Sequence, residues 1–138
     1  MHPLQYSQFG YYKVDPADLE SAPIEPYPFS EGSTFRIKTV ISEPAAQVVY
    51  EDWFKDQEIE WWVWVDGVHF AMQGRAEISY YQPPGLEVEH RFVAEAPCVF
   101  LVPRGCKFRC KVVSEEPFRR LVVDFPNPGY EFTSDERT

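Results

Sequence analysis

Side chains able to do acid–base or metal chemistry are sparse in this sequence. Its three histidines are His2, His69 and His90, and a metal centre built on them would join His69 and His90 to carboxylates such as Glu58, Glu60 or Glu77. Iron, manganese or zinc needs three or four imidazole, carboxylate or thiolate groups converging on one point. For metal-free acid–base work the candidates are His69, Tyr80 and Glu60, whose side chains can pass a proton when held within reach of a substrate. A hydrogen-bonded strand histidine is the simpler reading of His69, and a solvated one that of His90, which stands between Glu89 and Arg91. Cys98, Cys106 and Cys110 are odd in number and lack Cys-x-x-Cys spacing, which suggests small buried thiols rather than a disulfide framework or a zinc knuckle. Arg119-Arg120 could hold a carboxylate but reads as facing water. Phosphate-cradling glycine loops and Gly-x-Ser-x-Gly elbows do not occur.

The tryptophans are the least ordinary feature. Trp53, Trp61, Trp62 and Trp64 lie within one short stretch, and on a strand Trp62 and Trp64 point one way while Trp61 and Val63 point the other. A strand bulky on both faces must be covered on both. One face is expected to fill a core and the other to meet the N-terminal segment or a partner, since interfaces are enriched in Trp and Tyr.

The elements that position these residues read as β-strands. From Phe35 onward short β-prone runs alternate with turn signals: FRIKTVI, AQVVYEDWF, EIEWWVWVDG, VHFAMQG, RAEISYY, LEVEHRFVAEA, CVFLVPRG, CKFRCKVV and FRRLVVDFP. This spacing predicts an all-β sandwich or barrel. Period-two alternation puts Phe108, Cys110 and Val112 on one face and Lys107, Arg109 and Lys111 on the other, and likewise turns Ala76, Ile78 and Tyr80 inward. Residues 1–34 form a separate arm rich in proline and aromatics, with DPADLESA (15–22) as its one helical stretch, opened by Asp15 and Pro16. The arm is expected to dock, either on its own barrel (residues 35–138) or on a second subunit.

Aromatic residues make up 17% of the 138 residues, which supplies large buried area without a Leu-rich helical core. A formal charge of −9 argues against nucleic acid or an anionic membrane as partner, because both need clustered Lys and Arg. No run approaches the ~18 apolar residues of a membrane span, and MHPLQYSQFGYYK lacks the features of a signal peptide, so a cytoplasmic location is expected.

The run VHFAMQGRAEISYY followed by CVFLVPRGCKF resembles the two signature motifs of the cupin superfamily, with Gly74-Arg75-Ala76-Glu77-Ile78 ending the first and the turn Pro103-Arg104-Gly105 opening the second. The resemblance spans about residues 35–126 and implies a jelly-roll β-barrel with an extended N-terminal arm. In metal-binding cupins the second motif supplies a histidine at the place taken here by Phe108. The glutamate place of the first falls on Gly67, and its two histidine places fall near Trp61, Trp62, Val63 or Trp64. The resemblance therefore implies a barrel without its own metal or other cofactor, with a dry, apolar interior lined by Phe108, Met72, Ile78 and Cys110.

More narrowly, the aromatic arm, the EIEWWVWVDG strand and the ending VDFPNPGYE look like the small subunit of two-component hydroquinone dioxygenases. That resemblance implies a non-catalytic subunit in a hetero-oligomer with a larger cupin subunit, which holds Fe(II) and cleaves a small aromatic substrate, with Trp53, Trp61, Trp62 and Trp64 at the interface or substrate entrance. The alternative is a stand-alone, metal-free cupin isomerase, cyclase or lyase, or a binding protein, for a small aromatic or polyketide-like molecule.

Overall fold

The structure is a computed structural model and describes residues 6–126. His2, the tail SDERT and most of VDFPNPGYE lie outside the described residues. The one helix among the described residues is α1 (Pro16–Glu20), where Asp15 caps the first turn by accepting a hydrogen bond from the Ala17 backbone N–H at 3.0 Å, and Pro16 occupies a place that needs no donor.

Ten strands follow in chain order: β1 (Glu25–Pro26), β2 (Thr34–Ser42), β3 (Gln47–Trp53), β4 (Glu58–Trp62), β5 (Asp66–Gln73), β6 (Arg75–Tyr81), β7 (Glu89–Glu95), β8 (Cys98–Val102), β9 (Lys107–Val112) and β10 (Phe118–Phe125). They form a six-stranded sheet in the order β1-β2-β3-β10-β5-β8 and a four-stranded sheet in the order β4-β9-β6-β7. All pairings between these strands are antiparallel. The two sheets enclose one core, so each strand buries one face, which is what the alternating pattern requires.

Phe108, Cys110, Val112, Ala76 and Ile78 are all buried in that core, as their spacing predicts. The EIEWWVWVDG run departs from expectation. It does not continue as one strand: β4 stops at Trp62, its pairing with the β9 side carries on for one residue through the Val63 backbone hydrogen bonds with Cys106 and Gly105, and the chain then turns into β5. The indoles still divide by face. Trp61 packs on Trp53 and Phe108 with ring centroids 5.5 and 4.6 Å away, while Trp62 and Trp64 are more than half exposed.

The arm lies on its own barrel over the described residues. Tyr12 packs on Tyr50 and donates a 2.6 Å hydrogen bond to Asp18, Leu19 is fully buried, and the Gln8 backbone N–H donates to Glu43. Tyr27 goes further and enters the core, edge-on to Phe35, Trp53 and Trp61. The outer surface of β2 and β3 is thereby covered. That of β5 and β8 is not: Phe70, Val99 and Leu101 stand there 42%, 65% and 60% exposed.

Candidate binding site at one mouth of the barrel

The site begins with two charged dipeptides. β3 carries Glu51-Asp52 and β10 carries Arg119-Arg120, and the register sets Arg119 opposite Asp52 and Arg120 opposite Glu51. Adjacent strand residues take opposite faces. One ion pair therefore lies on each side of the same sheet.

On the outer side, the Arg119 guanidinium makes a two-pronged contact with Asp52, Nε at 2.8 Å and Nη2 at 3.0 Å. Arg36 adds a second cation to Asp52 at 3.2 Å, and Glu20 of α1 reaches Arg119 at 3.5 Å. This web ties the arm to the sheet. The hydrogen bonds that Arg119 donates to Asp52 push its pKa up from the ordinary value.

On the inner side, Arg120 is fully buried and donates to Glu51 at 2.9 Å, while its guanidinium carbon sits 3.5 Å above the Trp53 ring. Arg120 Nη1 lies 3.3 Å from His69 Nδ1. Because a guanidinium can only donate, Nδ1 must accept, and the imidazole proton belongs on Nε2. Burial and the neighbouring Arg120 both hold the His69 pKa well below its usual value, so the ring is neutral. Burial raises the Glu51 carboxyl despite its arginine. Asp124, on the same inward face of β10, is pushed up to about 6, first by burial and then by Glu51.

His69, Glu51 and Asp124 line a cavity of about 110 Å³ together with Trp61, Trp64 and Phe29. Gly67 forms its floor. A Cβ at that position would meet Asp124 Oδ1 at 2.8 Å and His69 Nε2 at 3.8 Å, so both polar atoms flank the space that the missing side chain leaves. Neither His69 Nε2 nor Asp124 has a hydrogen-bond partner among the described residues.

A second cavity, about 390 Å³, opens between β6, β7, β8 and β9 and is walled by Tyr80, Phe92, Phe100 and Phe108. Among the residues expected to line the interior, Phe108, Ile78 and Cys110 do so, and burial pushes the Cys110 thiol up to about 12. Met72 does not. It is the extra residue of a β-bulge between β5 and β10, since Ala71 pairs with Arg120 and Gln73 with Arg119, and it lines a shallow surface hollow beside Gln73 and Arg75.

The three acid–base candidates do not converge. His69 and Tyr80 line different cavities, and Glu60 is on the outer face of β4, paired with Arg109 at 3.2 Å and Lys107 at 3.4 Å. Glu58 and Glu77 share that outer groove with Arg109, and His90 is exposed, stacked on the Tyr80 ring at 5.0 Å. No three His, Cys, Asp or Glu side chains among the described residues are grouped to hold a metal. The donor set also opposes one: Phe108 cannot ligate, and Arg120 already occupies His69 Nδ1 with a positive charge. The residues present do not fit the metal that the fold usually carries.

The interior is not wholly apolar as the resemblance implied, since Glu51, His69 and Arg120 are buried in it, and Arg119-Arg120 do not face water. Charged residues in a β-run read as solvated, and here the fold pairs them across the sheet instead. Glu51, Asp124 and Arg120 were missed for the same reason. The available signal was the pair of adjacent like charges in QVVYEDW and in FRRLVVDF, because a strand must send one of each inward.

No protein-family model matches the sequence, and no curated protein sequence does. Solved structures do resemble the fold. The putative ethanolamine utilization protein EutQ of Salmonella typhimurium LT2 superposes with a TM-score of 0.63 at 16% identity, over 91% of this chain and 97% of that one. The cupin domain of Schizosaccharomyces pombe Cnp3 gives 0.62 at 16% identity, over 86% and 76%. A mutant of Bacillus subtilis oxalate decarboxylase gives 0.60 at 11% identity, over 93% of this chain but 31% of that one. The chain thus has the cupin fold, a jelly-roll barrel of two antiparallel sheets, with a buried arginine–carboxylate–histidine cluster inside it.

Proposed function

We propose that this chain is a non-catalytic cupin subunit that works in an assembly with a larger, metal-bearing cupin, in the narrow form as the small subunit of an Fe(II)-dependent, hydroquinone-type ring-cleaving dioxygenase. The observation that carries the reading is the bare apolar surface of the six-stranded sheet. Phe70 pairs with Val99 and Val68 with Leu101, and Leu121 and Val123 of β10 continue the same two rows. Contiguous apolar surface of this kind on a soluble domain marks an interaction site. Trp62 and Trp64 offer two further exposed anchors of the type that dominates interface energetics. The arginine, glutamate and histidine inside the barrel are engaged with one another, which suits a structural partner better than a catalyst.

The test is to mix the purified chain with a metal-bearing larger cupin from the same genome, and to follow assembly by sedimentation and ring cleavage of hydroquinone with added Fe(II). A stable hetero-oligomer whose activity exceeds that of the larger subunit alone supports the reading. Absence of any complex overturns it. The 390 Å³ cavity, walled by four aromatic rings, favours the second reading, a stand-alone metal-free enzyme or binding protein for an aromatic molecule. Turnover by the unmixed chain would decide for that alternative.

A further inference from the structure

We infer that this chain pairs with a second copy of itself through the outer side of the six-stranded sheet, the aromatic arm of each copy lying on the bare strands β5 and β8 of the other. The inference goes beyond the proposed function and does not rest on it, because a pair formed on this face leaves Trp62 and Trp64 free for another subunit.

The outer side of the sheet is built as a step. Over β2 and β3 the arm is fastened to its own barrel: Ser7 Oγ accepts from the Ala45 backbone N–H at 2.9 Å, Gly10 lies against the Ile41 side chain, and Tyr12 packs on Tyr50. With the backbone held in this way, Tyr6, Phe9 and Tyr11 project outward, each more than three-quarters exposed. Among the described residues nothing covers the strands beyond β10, where Phe70, Val99 and Leu101 form a flat apolar floor. One chain thus carries a raised aromatic ledge beside an unfilled apolar floor.

Strand β10 divides the two halves. A twofold axis above the sheet and parallel to β10 turns a second copy face down and exchanges its halves, so that each ledge rests on the other copy's floor. Such a contact is reciprocal and closes with two copies. The levels agree as well. Rotation about that axis moves nothing along the strands, and sheets packed face to face keep their strands within about 30° of each other, so each cross-strand row meets its own equivalent. One row runs from Ile41 through Val48, Val123 and Val68 to Leu101, and the next from Lys38 through Tyr50, Leu121 and Phe70 to Val99. Gly10 is seated on the first row and Tyr12 on the second, which brings Phe9 and Tyr11 to the level of Leu101 and Val99.

The chemistry suits a second copy. At −9 per chain two copies repel at long range, so burial of uncharged surface must hold them, and neither the three arm rings nor the three floor residues carry a charge. At ~150–250 Å² for an aromatic side chain, the exposed arm rings offer roughly 400–650 Å², a large share of the ~800 Å² that each partner of a stable pair buries.

The experiment follows the mass of the isolated full chain by sedimentation velocity across the micromolar range. A dimer is expected, and added salt should not dissociate it, since salt screens the repulsion and leaves the apolar contact in place. Phe9→Glu on the ledge and Leu101→Lys on the floor should each raise the dimer Kd about thirtyfold or more, as loss of a central anchor does, with circular dichroism unchanged. An equimolar mixture of the two variants should pair more tightly than either alone, because one of its two contacts is wild type and the other sets Glu against Lys. A wild-type chain that stays monomeric throughout would overturn the inference. So would a dimer that Leu101→Lys weakens and Phe9→Glu does not, which would set floor on floor. A monomer that engages only the larger cupin through Leu101 would sink the inference and leave the proposed function standing. Should Leu101→Lys fail to fold, Phe9→Glu on the exposed arm and the wild-type mass still decide.

Discussion

Replacing Arg120 with Met would leave the Glu51 carboxylate 7% exposed in a barrel interior with its one direct cation gone. Breaking a buried pair from one side typically costs about 3–5 kcal/mol, because the remaining charge is uncompensated. Loss of the guanidinium over Trp53, at 3.5 Å and fully desolvated, adds up to ~2 kcal/mol that overlaps with the first figure. Against this, Arg120 Nε has no partner among the described residues, a penalty that Met removes. The net expectation is a loss of about 3–5 kcal/mol for Arg120→Met, a large part of the ~5–15 kcal/mol that holds a domain together. The double variant Glu51→Leu/Arg120→Met removes both charges and should recover most of that loss. The assay is urea unfolding of the two single variants and the double. The pH dependence has a defined sign. Without Arg120 the folded-state pKa of Glu51 rises further, so the native state keeps a proton that the unfolded chain releases, and the variant weakens as pH climbs above about 4.5. A loss below ~1 kcal/mol for Arg120→Met, or a double variant no better than the sum of the singles, would refute the claim that this pair is desolvated and coupled.

Asp124→Asn tests a second buried carboxyl, whose pKa of about 6 is set by burial and then Glu51, with neutral His69 and Arg120 on the same inner face and Tyr27 within electrostatic range. Because the native state holds this proton through the window from about 4 to 6 while the unfolded chain has lost it, wild-type stability falls as pH rises there. The variant should be the more stable near neutrality, with the difference absent near pH 4; urea midpoints across that range check it. Trp53→Ala, at 1% exposure, should cost about 3–5 kcal/mol, whereas Trp62→Ala and Trp64→Ala should shift stability by less than ~1 kcal/mol and, if the proposed larger cupin subunit is the partner, weaken binding to it. Chelator treatment should leave the thermal midpoint unchanged, and elemental analysis showing one tightly held transition metal per chain would contradict the donor set described here.

The strands were legible because alternation is a local signal that burial on one face enforces. RAEISYY and CKFRCKVV show their inner residues by position alone, and the capped helix at Asp15-Pro16 needs nothing beyond its own turn. The break after Trp62 was not legible, since Trp and Val extend a strand as readily as they end one. What ends β4 is its partner, over forty residues away in the chain: Val63 still pairs with Cys106 in the β4–β9 register, and there the partner strand runs out into the turn closed by the Cys106 N–H to Pro103 hydrogen bond. The site was harder still. Its members come from β3, β5 and β10, and only the fold brings Glu51, His69, Arg120 and Asp124 to one mouth. His69 was a candidate by type, but its neutral state and its free Nε2–H depend on Arg120, which no local pattern connects to it.

The two ion pairs also bear on why β3 and β10 meet in this register. A strand shifted by one residue sends every side chain to the opposite face. On β3 that would carry Tyr50 and Asp52 into the barrel and expose Glu51 and Trp53 to the arm, so hydrophobic burial already opposes the slip, though weakly, because both faces of this strand are buried. The charges discriminate more sharply. In the observed register each carboxylate faces an arginine on its own side of the sheet. A one-residue slip in either direction leaves at least one of the four charges opposite an apolar neighbour, Tyr50 or Trp53 on β3, Phe118 or Leu121 on β10, in a place closed to water. An unpaired buried charge costs several kcal/mol, whereas a well-formed pair in the same place is close to neutral. The dipeptides therefore contribute less to net stability than to the gap between the correct pairing and its nearest competitors. That gap fixes which side chains face inward, and so whether Arg120 is present to hold His69 in the tautomer that turns an N–H toward the cavity.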